Sequence, residues 1–372
     1  MQLTGEVRLG TRTKQLVKEL DQDEIVVIDH QDIDQLAAES LIASKVKAVI
    51  NASSSTSGRY PNLGPKKLLE AGIPVIDQTG SEIFSLLEDG EQVVIKDESI
   101  IKEGERIASG EVLTLERVKI KLQEAEDNLD NELNKFIDNT LEYAKDEKEL
   151  ILGLDIPDLE TNLKDRDVLI VVRGNDYRED LEAVISYIRE VQPVLIGVDG
   201  GADALVNYGF KPDIIIGDMD SVSDKVLACG AELIVHAYSN GVAPGMKRIK
   251  DLNLEASKFA APGTSEDIAM LLAYEKDAEL IVAVGTHTTM IDFLEKGRPG
   301  MASTFLVRVK VGNKLVDAKG VNKLYKSRVK FKYVAQVLVA SLIPIIVIVM
   351  VSQPISQLLK LLIMKIQLNL GF

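Results

Sequence analysis

The chain has 372 residues and a formal net charge of −15, a length that exceeds one ordinary domain. The acidic balance argues against a nucleic-acid partner, because phosphate contacts need a basic surface, although a bridging divalent metal lets an acidic protein hold a nucleotide. Cys229 is the single cysteine, so no internal disulfide forms, which suits a reducing compartment, and the first residues show neither the basic start nor the apolar run of a signal peptide.

Residues 1–110 alternate short apolar runs with helical patterns. Residues 25–28 (IVVI), 46–50 (VKAVI), 73–76 (IPVI) and 92–95 (QVVI) read as strands, and 35–42 as a helix between the first two. They predict a small N-terminal α/β domain. Residues 111–152 contain neither glycine nor proline. Leu115, Val118, Leu122, Ala125, Leu129, Phe136 and Tyr143 recur at spacings of three and four, with Glu132 and Asn139 interrupting. This stripe predicts a long acidic helix, either a coiled coil that makes a homodimer or a helix packed on its own domain.

Residues 153–325 form the second α/β region. Strands are expected at 168–172, 194–198, 214–217 and 280–285, each running into a Gly- or Asp-bearing turn before a helix. Such a pattern describes a parallel sheet whose ligand edge lies at the strand C-termini. Further on, residues 333–359 lack any Asp, Glu, Lys or Arg. About 20 apolar residues span a bilayer, so a transmembrane helix is expected over 333–353. Lys323, Lys326, Arg328, Lys330 and Lys332 precede it and place the N-terminal bulk in the cytoplasm. Residues 354–372 read as an amphipathic tail on the far membrane surface or as a second crossing.

The chemistry concentrates in the turns of the second region. Asp199-Gly200-Gly201 sets two glycines where backbone approaches a ligand closely. Asp218 and Asp220 follow a buried strand at i, i+2, with Ser221 beside them. Hard oxygens at this spacing suit Mg²⁺ that keeps its waters and bridges to phosphates. Thr264, Ser265, Glu266 and Asp267 open an apolar helix, where acids serve either a site or the helix N-terminus. Gly285 and His287 end another strand, and His287 suits acid–base work or a phosphate contact. Arg173 and Arg298, with Lys296 nearby, supply positive charge for phosphates. Asp218 and Asp220 are therefore the expected metal ligands on the residues alone.

The run DGGAD…PDIIIGDMDS…TSED over residues 199–267 resembles the catalytic domain of thiamin pyrophosphokinase. The resemblance implies transfer of diphosphate from ATP, with Mg²⁺ held by Asp218, Asp220 and Asp267 and a further contact from Asp199. Arg12 to Lys14, the segment 57–64 (SGRYPNLG), 173–177 (RGNDY), 263–267 (GTSED), 285–287 (GTH) and 296–304 (KGRPGMAST) resemble the bacterial SteA-like family. That likeness implies a cell-division and envelope-remodelling role at the membrane of the division septum, with a membrane protein as partner.

Three functions follow as expectations. The first is a membrane-anchored division protein with a nucleotide- or diphosphate-binding pocket. The second is an active diphosphokinase that passes diphosphate from ATP to an unidentified hydroxyl. The third is a scaffold whose acids only cap turns.

Overall fold

The computed structural model describes residues 2–11, 13–17, 19–321, 340–342, 344, 347, 348 and 351–370. The chain divides into two compact units, residues 1–322 and 323–372.

The first unit holds two sheets. In the N-terminal one, β1 (Gln2–Gly10), β2 (Ile25–Ile28), β3 (Ala48–Asn51) and β4 (Val75–Asp77) run parallel. The strands β5 (Gln92–Lys96), β6 (Ser99–Lys102), β7 (Glu105–Ser109) and β8 (Glu111–Val112) add antiparallel edges, giving the order β7-β6-β5-β1-β2-β3-β4-β8. The helices α1 (Thr13–Leu16), α2 (Gln35–Ala43), α3 (Gly64–Glu70) and α4 (Ile83–Leu86) lie between the strands in sequence. Strands β2, β3 and β4 are buried at every position, as continuous Val/Ile runs of a sheet covered on both faces should be.

The second sheet is wholly parallel and has seven strands. They are β9 (Asp167–Val171), β10 (Val194–Val198), β11 (Ile214–Gly217), β12 (Glu232–Ala237), β13 (Ser257–Ala260), β14 (Leu280–Val284) and β15 (Leu315–Asp317). Their order is β13-β12-β11-β10-β9-β14-β15, so the chain steps outward from β9 to β13 and then crosses back to β14. The helices α5 (Leu115–Asp146) and α6 (Glu149–Leu152) connect the two sheets in sequence. The remaining helices are α7 (Tyr177–Ala183), α8 (Ile185–Val191), α9 (Gly201–Asn207), α10 (Asp224–Leu227), α11 (Met246–Asp251), α12 (Ser265–Glu275), α13 (Met290–Glu295) and α14 (Ala302–Val311). Side chains alternate across each strand. Ile170, Ile196 and Ile216 therefore face Ile268 and Leu272 of α12 and Val307 of α14. Leu169 and Leu195 meet Leu181 and Leu205 of α7 and α9 on the other face, where Ile215 meets Leu227 and Ile249.

Thr114 caps α5, its hydroxyl accepting from the Arg117 N–H. Of the expected stripe, Val118, Ala125, Glu132 and Phe136 are buried within the first unit. Val118 and Leu122 pack with the N-terminal sheet, and Phe136 packs with Phe293 and Tyr60. Leu115 and Tyr143 of the same stripe stay exposed.

The junction between the sheets also contains an acid. Burial first, then the charges of Asp34 and Asp292, push the Glu295 carboxyl up to about 7, while Lys319 and Asn175 oppose them. A raised carboxyl favours the protonated form in the fold, so its contribution is complete below the unfolded value near 4.5 and is lost as pH rises through about 7. Glu295→Gln is expected to raise stability at pH 8 by about 1–2 kcal/mol, the full displacement being discounted for partial exposure, and to leave it unchanged near pH 4. Urea unfolding of both forms at the two pH values checks this.

The C-terminal unit corrects an expectation. Among the described residues no helix is long and apolar enough to cross a membrane. This overturns the transmembrane helix expected over 333–353, and with it the single-pass membrane localisation. The described helix is Gln353–Leu370, whose apolar run is broken by Lys360 and Lys365; charges of this kind are costly in a bilayer. Arg12, the basic run from Lys323 to Lys332 and residues 333–339, 343, 345, 346, 349 and 350 lie outside the described residues.

Candidate functional site

In a parallel sheet the strand C-termini share one edge. Here that edge gathers Arg173-Gly174 after β9, Asp199-Gly200-Gly201 after β10, Asp218-Met219-Asp220-Ser221 after β11, and Gly285-Thr286-His287 after β14. The turns are packed backbone to backbone. A Cβ on Gly201 would stand 1.9 Å from the Val171 carbonyl oxygen, and one on Gly285, at φ 67°, would stand 2.2 Å from that of Val172. Only glycine permits such approaches.

The acids separate into two kinds. Asp218 and Asp220 are exposed on either side of buried Met219. Asp218 Oδ1 accepts the Asp220 N–H at 2.9 Å, and the Asp199 carboxylate lies over Gly217 and accepts the Met219 N–H at 3.2 Å. Asp267, by contrast, is fully buried. It forms a capping box with Thr264 at the start of α12. Its Oδ2 accepts the Thr264 N–H at 3.0 Å, the Ser303 hydroxyl at 2.8 Å and the Thr304 hydroxyl at 3.1 Å. Burial, reinforced by the Glu266 charge, pushes its carboxyl above the usual range.

Among the described residues no group of three or more His, Cys, Asp or Glu side chains is placed to hold a metal ion. The expected set of Asp218, Asp220 and Asp267 is therefore not formed. Asp267 Oδ2 is taken up by the helix start and two hydroxyls of α14, whereas its Oδ1 is buried with no hydrogen-bond partner among the described residues; the carboxylate is not grouped with Asp218 and Asp220. Asp218 and Asp220 do fit a Mg²⁺ ion that keeps most of its waters, since both are exposed hard oxygens on one turn.

The cationic groups complete the edge. Arg173 stretches over Gly200, where a Cβ would meet its Cδ at 2.7 Å and Nη1 at 3.0 Å. Its guanidinium also lies 5.9 Å from the Tyr177 ring centre, and among the described residues no carboxylate pairs with it. Glu266, only 3% exposed, holds His287. Its Oε2 accepts the His287 main-chain N–H at 3.3 Å and lies 3.1 Å from His287 Nδ1. Lys296 Nζ lies 3.0 Å from the same Nδ1. Burial pushes the Glu266 carboxyl up, but the His287 hydrogen bond and the Lys296 charge outweigh it, so the acid is held below its usual range. Ser265 is used structurally: its hydroxyl is 3.3 Å from His236 Nδ1. Arg298 is exposed, and its charge acts on His236 and Glu147. Ser221 is buried beside Asp220. The partners of Asp267 on α14 and the contact of Lys296 with His287 were not foreseen from the sequence.

A cavity of about 630 Å³ opens elsewhere, at the β5–β6 hairpin, lined by Lys96, Glu98, Ser99 and Arg106 among others. Lys96 pairs with Gln2 at the start of β1, so this opening belongs to the opposite sheet. Its mixed charges offer no consistent ligand.

Comparison with known proteins bears on that edge. Residues 185–240, which include the Asp199 and Asp218 turns, match the family model of the thiamin pyrophosphokinase catalytic domain. Residues 319–368 match that of the SteA-like C-terminal domain. The chain is SteA-like, with a thiamin pyrophosphokinase-like domain. Solved structures are also similar. Thiamin pyrophosphokinase from Geobacillus thermodenitrificans shares 22% identity over 40% of this chain and 59% of its own, with a TM-score of 0.27. The Bacillus subtilis enzyme shares 21% over 41% and 59%, with a TM-score of 0.25. A protein from Lactobacillus plantarum shares 20% over 36% and 53%, with a TM-score of 0.21. The SteA-like chain thus spans 59% of the length of the first two. No curated protein matches it.

Proposed function

We propose that the thiamin pyrophosphokinase-like domain binds a diphosphate-bearing ligand at the C-terminal edge of its parallel sheet, and that the SteA-like chain uses this binding in cell division or envelope remodelling, together with a protein of that machinery. The observation that supports the site is Arg173. A guanidinium without a carboxylate partner among the described residues, laid across a glycine at the mouth of a parallel sheet, suits a phosphate through its fork of donors. The main-chain groups of the Asp199-Gly200-Gly201 turn lie under it. The division role rests on the SteA-like match of residues 319–368.

Asp218 and Asp220 would hold Mg²⁺, which supplies charge neutralisation for the diphosphate. Arg173 orients the anion, and the closely packed glycines let backbone approach it. That no third carboxylate joins Asp218 and Asp220 among the described residues favours binding over transfer. Calorimetry of pyrophosphate into the full chain, with and without Mg²⁺, tests this reading. Binding that strengthens with Mg²⁺, and loses that dependence in Asp218→Asn, is the expected result. Steady release of AMP from ATP would instead favour the diphosphokinase, and absence of any nucleotide or diphosphate binding would leave the scaffold.

A further inference from the structure

His287 is built into the sheet edge more firmly than a turn residue requires. It lies three residues beyond the end of β14 with 8% exposure, and the acid that holds it is itself only 3% exposed. Glu266 grips both its main-chain N–H and its ring at Nδ1, and Lys296 approaches the same nitrogen. A buried carboxylate against one ring nitrogen fixes the orientation of an imidazole and leaves the other nitrogen for an outside partner. That other nitrogen is Nε2. The ring carbon bonded to both nitrogens, Cε1, comes within 3.3 Å of where a Gly174 Cβ would stand. Gly174 follows Arg173 directly, so its missing side chain lets the imidazole pack close against the backbone beside Arg173. The same glycine sits against the Gly285 carbonyl, 2.2 Å from that imagined Cβ, which locks the β9 and β14 turns together.

We propose that His287 is a second contact for the ligand's phosphate, its Nε2–H donating to the anion while Nδ1 is held by Glu266 and Lys296, and that Glu266 is the positioning residue that aims it. The inference rests on the diphosphate reading of this edge. It explains why a buried acid is spent on a histidine at the strand end, an arrangement that capping alone does not require: Asp267, the next residue, already closes the capping box.

The chain has three histidines, so nitrogen-15 NMR of the histidine-labelled full chain resolves each ring. Pyrophosphate is the probe. The expected result is a shift of the His287 Nε2 resonance on titration, with His30 and His236 unmoved. His287→Gln is expected to weaken pyrophosphate binding about 5- to 10-fold, and Glu266→Gln to weaken it comparably while abolishing the His287 response. Glu266→Asp, which keeps the charge but shortens the reach, should restore part of the affinity. A His287→Gln chain that stays folded and binds as the wild type does, or a bound wild type with an unmoved His287 signal, overturns the proposal while leaving the diphosphate reading intact. No binding of pyrophosphate by the wild type overturns both.

Discussion

Replacing Asp267 by alanine is expected to lower folding stability by about 3 kcal/mol, a sum of a lost helix cap and two hydroxyls left without their acceptor in the interior. Asp267 is fully buried, and its Oδ2 gathers the Thr264 N–H and the hydroxyls of Ser303 and Thr304. It therefore ties the start of α12 to α14 on the same face of the sheet. Asn in its place keeps one acceptor and is expected to cost about 1 kcal/mol. A metal ligand would behave differently: its loss would change Mg²⁺-dependent binding and barely change stability. Asp218→Asn should show that second pattern, because Asp218 is exposed and its turn bond to the Asp220 N–H can be kept by an amide oxygen. Urea unfolding and pyrophosphate titration of the two variants, side by side, distinguish the roles. Loss of Mg²⁺-dependent affinity in a stable Asp267→Asn chain would return Asp267 to the metal site.

Phe293→Ala is the second large effect, with an expected loss of about 3–5 kcal/mol. The ring is 1% exposed and belongs to α13, which follows the His287 turn. It meets Phe136 of α5 at 6.2 Å between centres, tilted by 47°, and shares a cluster with Tyr60 from the N-terminal region. Aromatic pairs of this geometry contribute beyond their buried area. Three parts of the first unit converge there, and Met290 and Met301 beside the cluster refill only part of the cavity left by alanine. Calorimetric unfolding should show a lower midpoint, and amide exchange should quicken in α13 together with the loop around Tyr60. Faster exchange in α13 alone would mean that the cluster does not join the two sheets.

Much of the fold is legible in the sequence where strands are buried on both faces. The runs at 25–28, 194–198 and 214–217 are strands at those bounds, because an unbroken Val/Ile run has few alternatives. The edge strand β13, SKFA, has one buried residue and gives no such signal. Similarly, β1 alternates exposed and partly buried positions and was not foreseen. The strand β12 carries His236 next to its last residue, and that histidine's partners, Ser265 and the Ala261 carbonyl, come from a later turn.

The site is legible only as far as its turns. Glycine and aspartate after a buried strand mark where the backbone must bend, and those marks place Asp199, Asp218 and Gly285 at one edge. What each acid then does depends on contacts far along the chain. Asp267 is held by hydroxyls 36 and 37 residues away, and Glu266 by a histidine 21 residues away. No local pattern distinguishes a cap from a ligand at that position. The apolar stretch near the C-terminus teaches the complementary lesson: hydropathy over 333–353 suggested a span, yet the helix that is described, Gln353–Leu370, carries two lysines and is not apolar enough to be one.

The affinity of the full chain for pyrophosphate, compared between wild type and Arg173→Met, tests the central claim most directly. Methionine keeps the aliphatic packing over Gly200 and removes only the guanidinium. A loss of at least about tenfold, equal to about 1.4 kcal/mol, with an unchanged unfolding midpoint is the predicted result. Equal affinity in the two chains, or no binding to either, would contradict a diphosphate site at this edge.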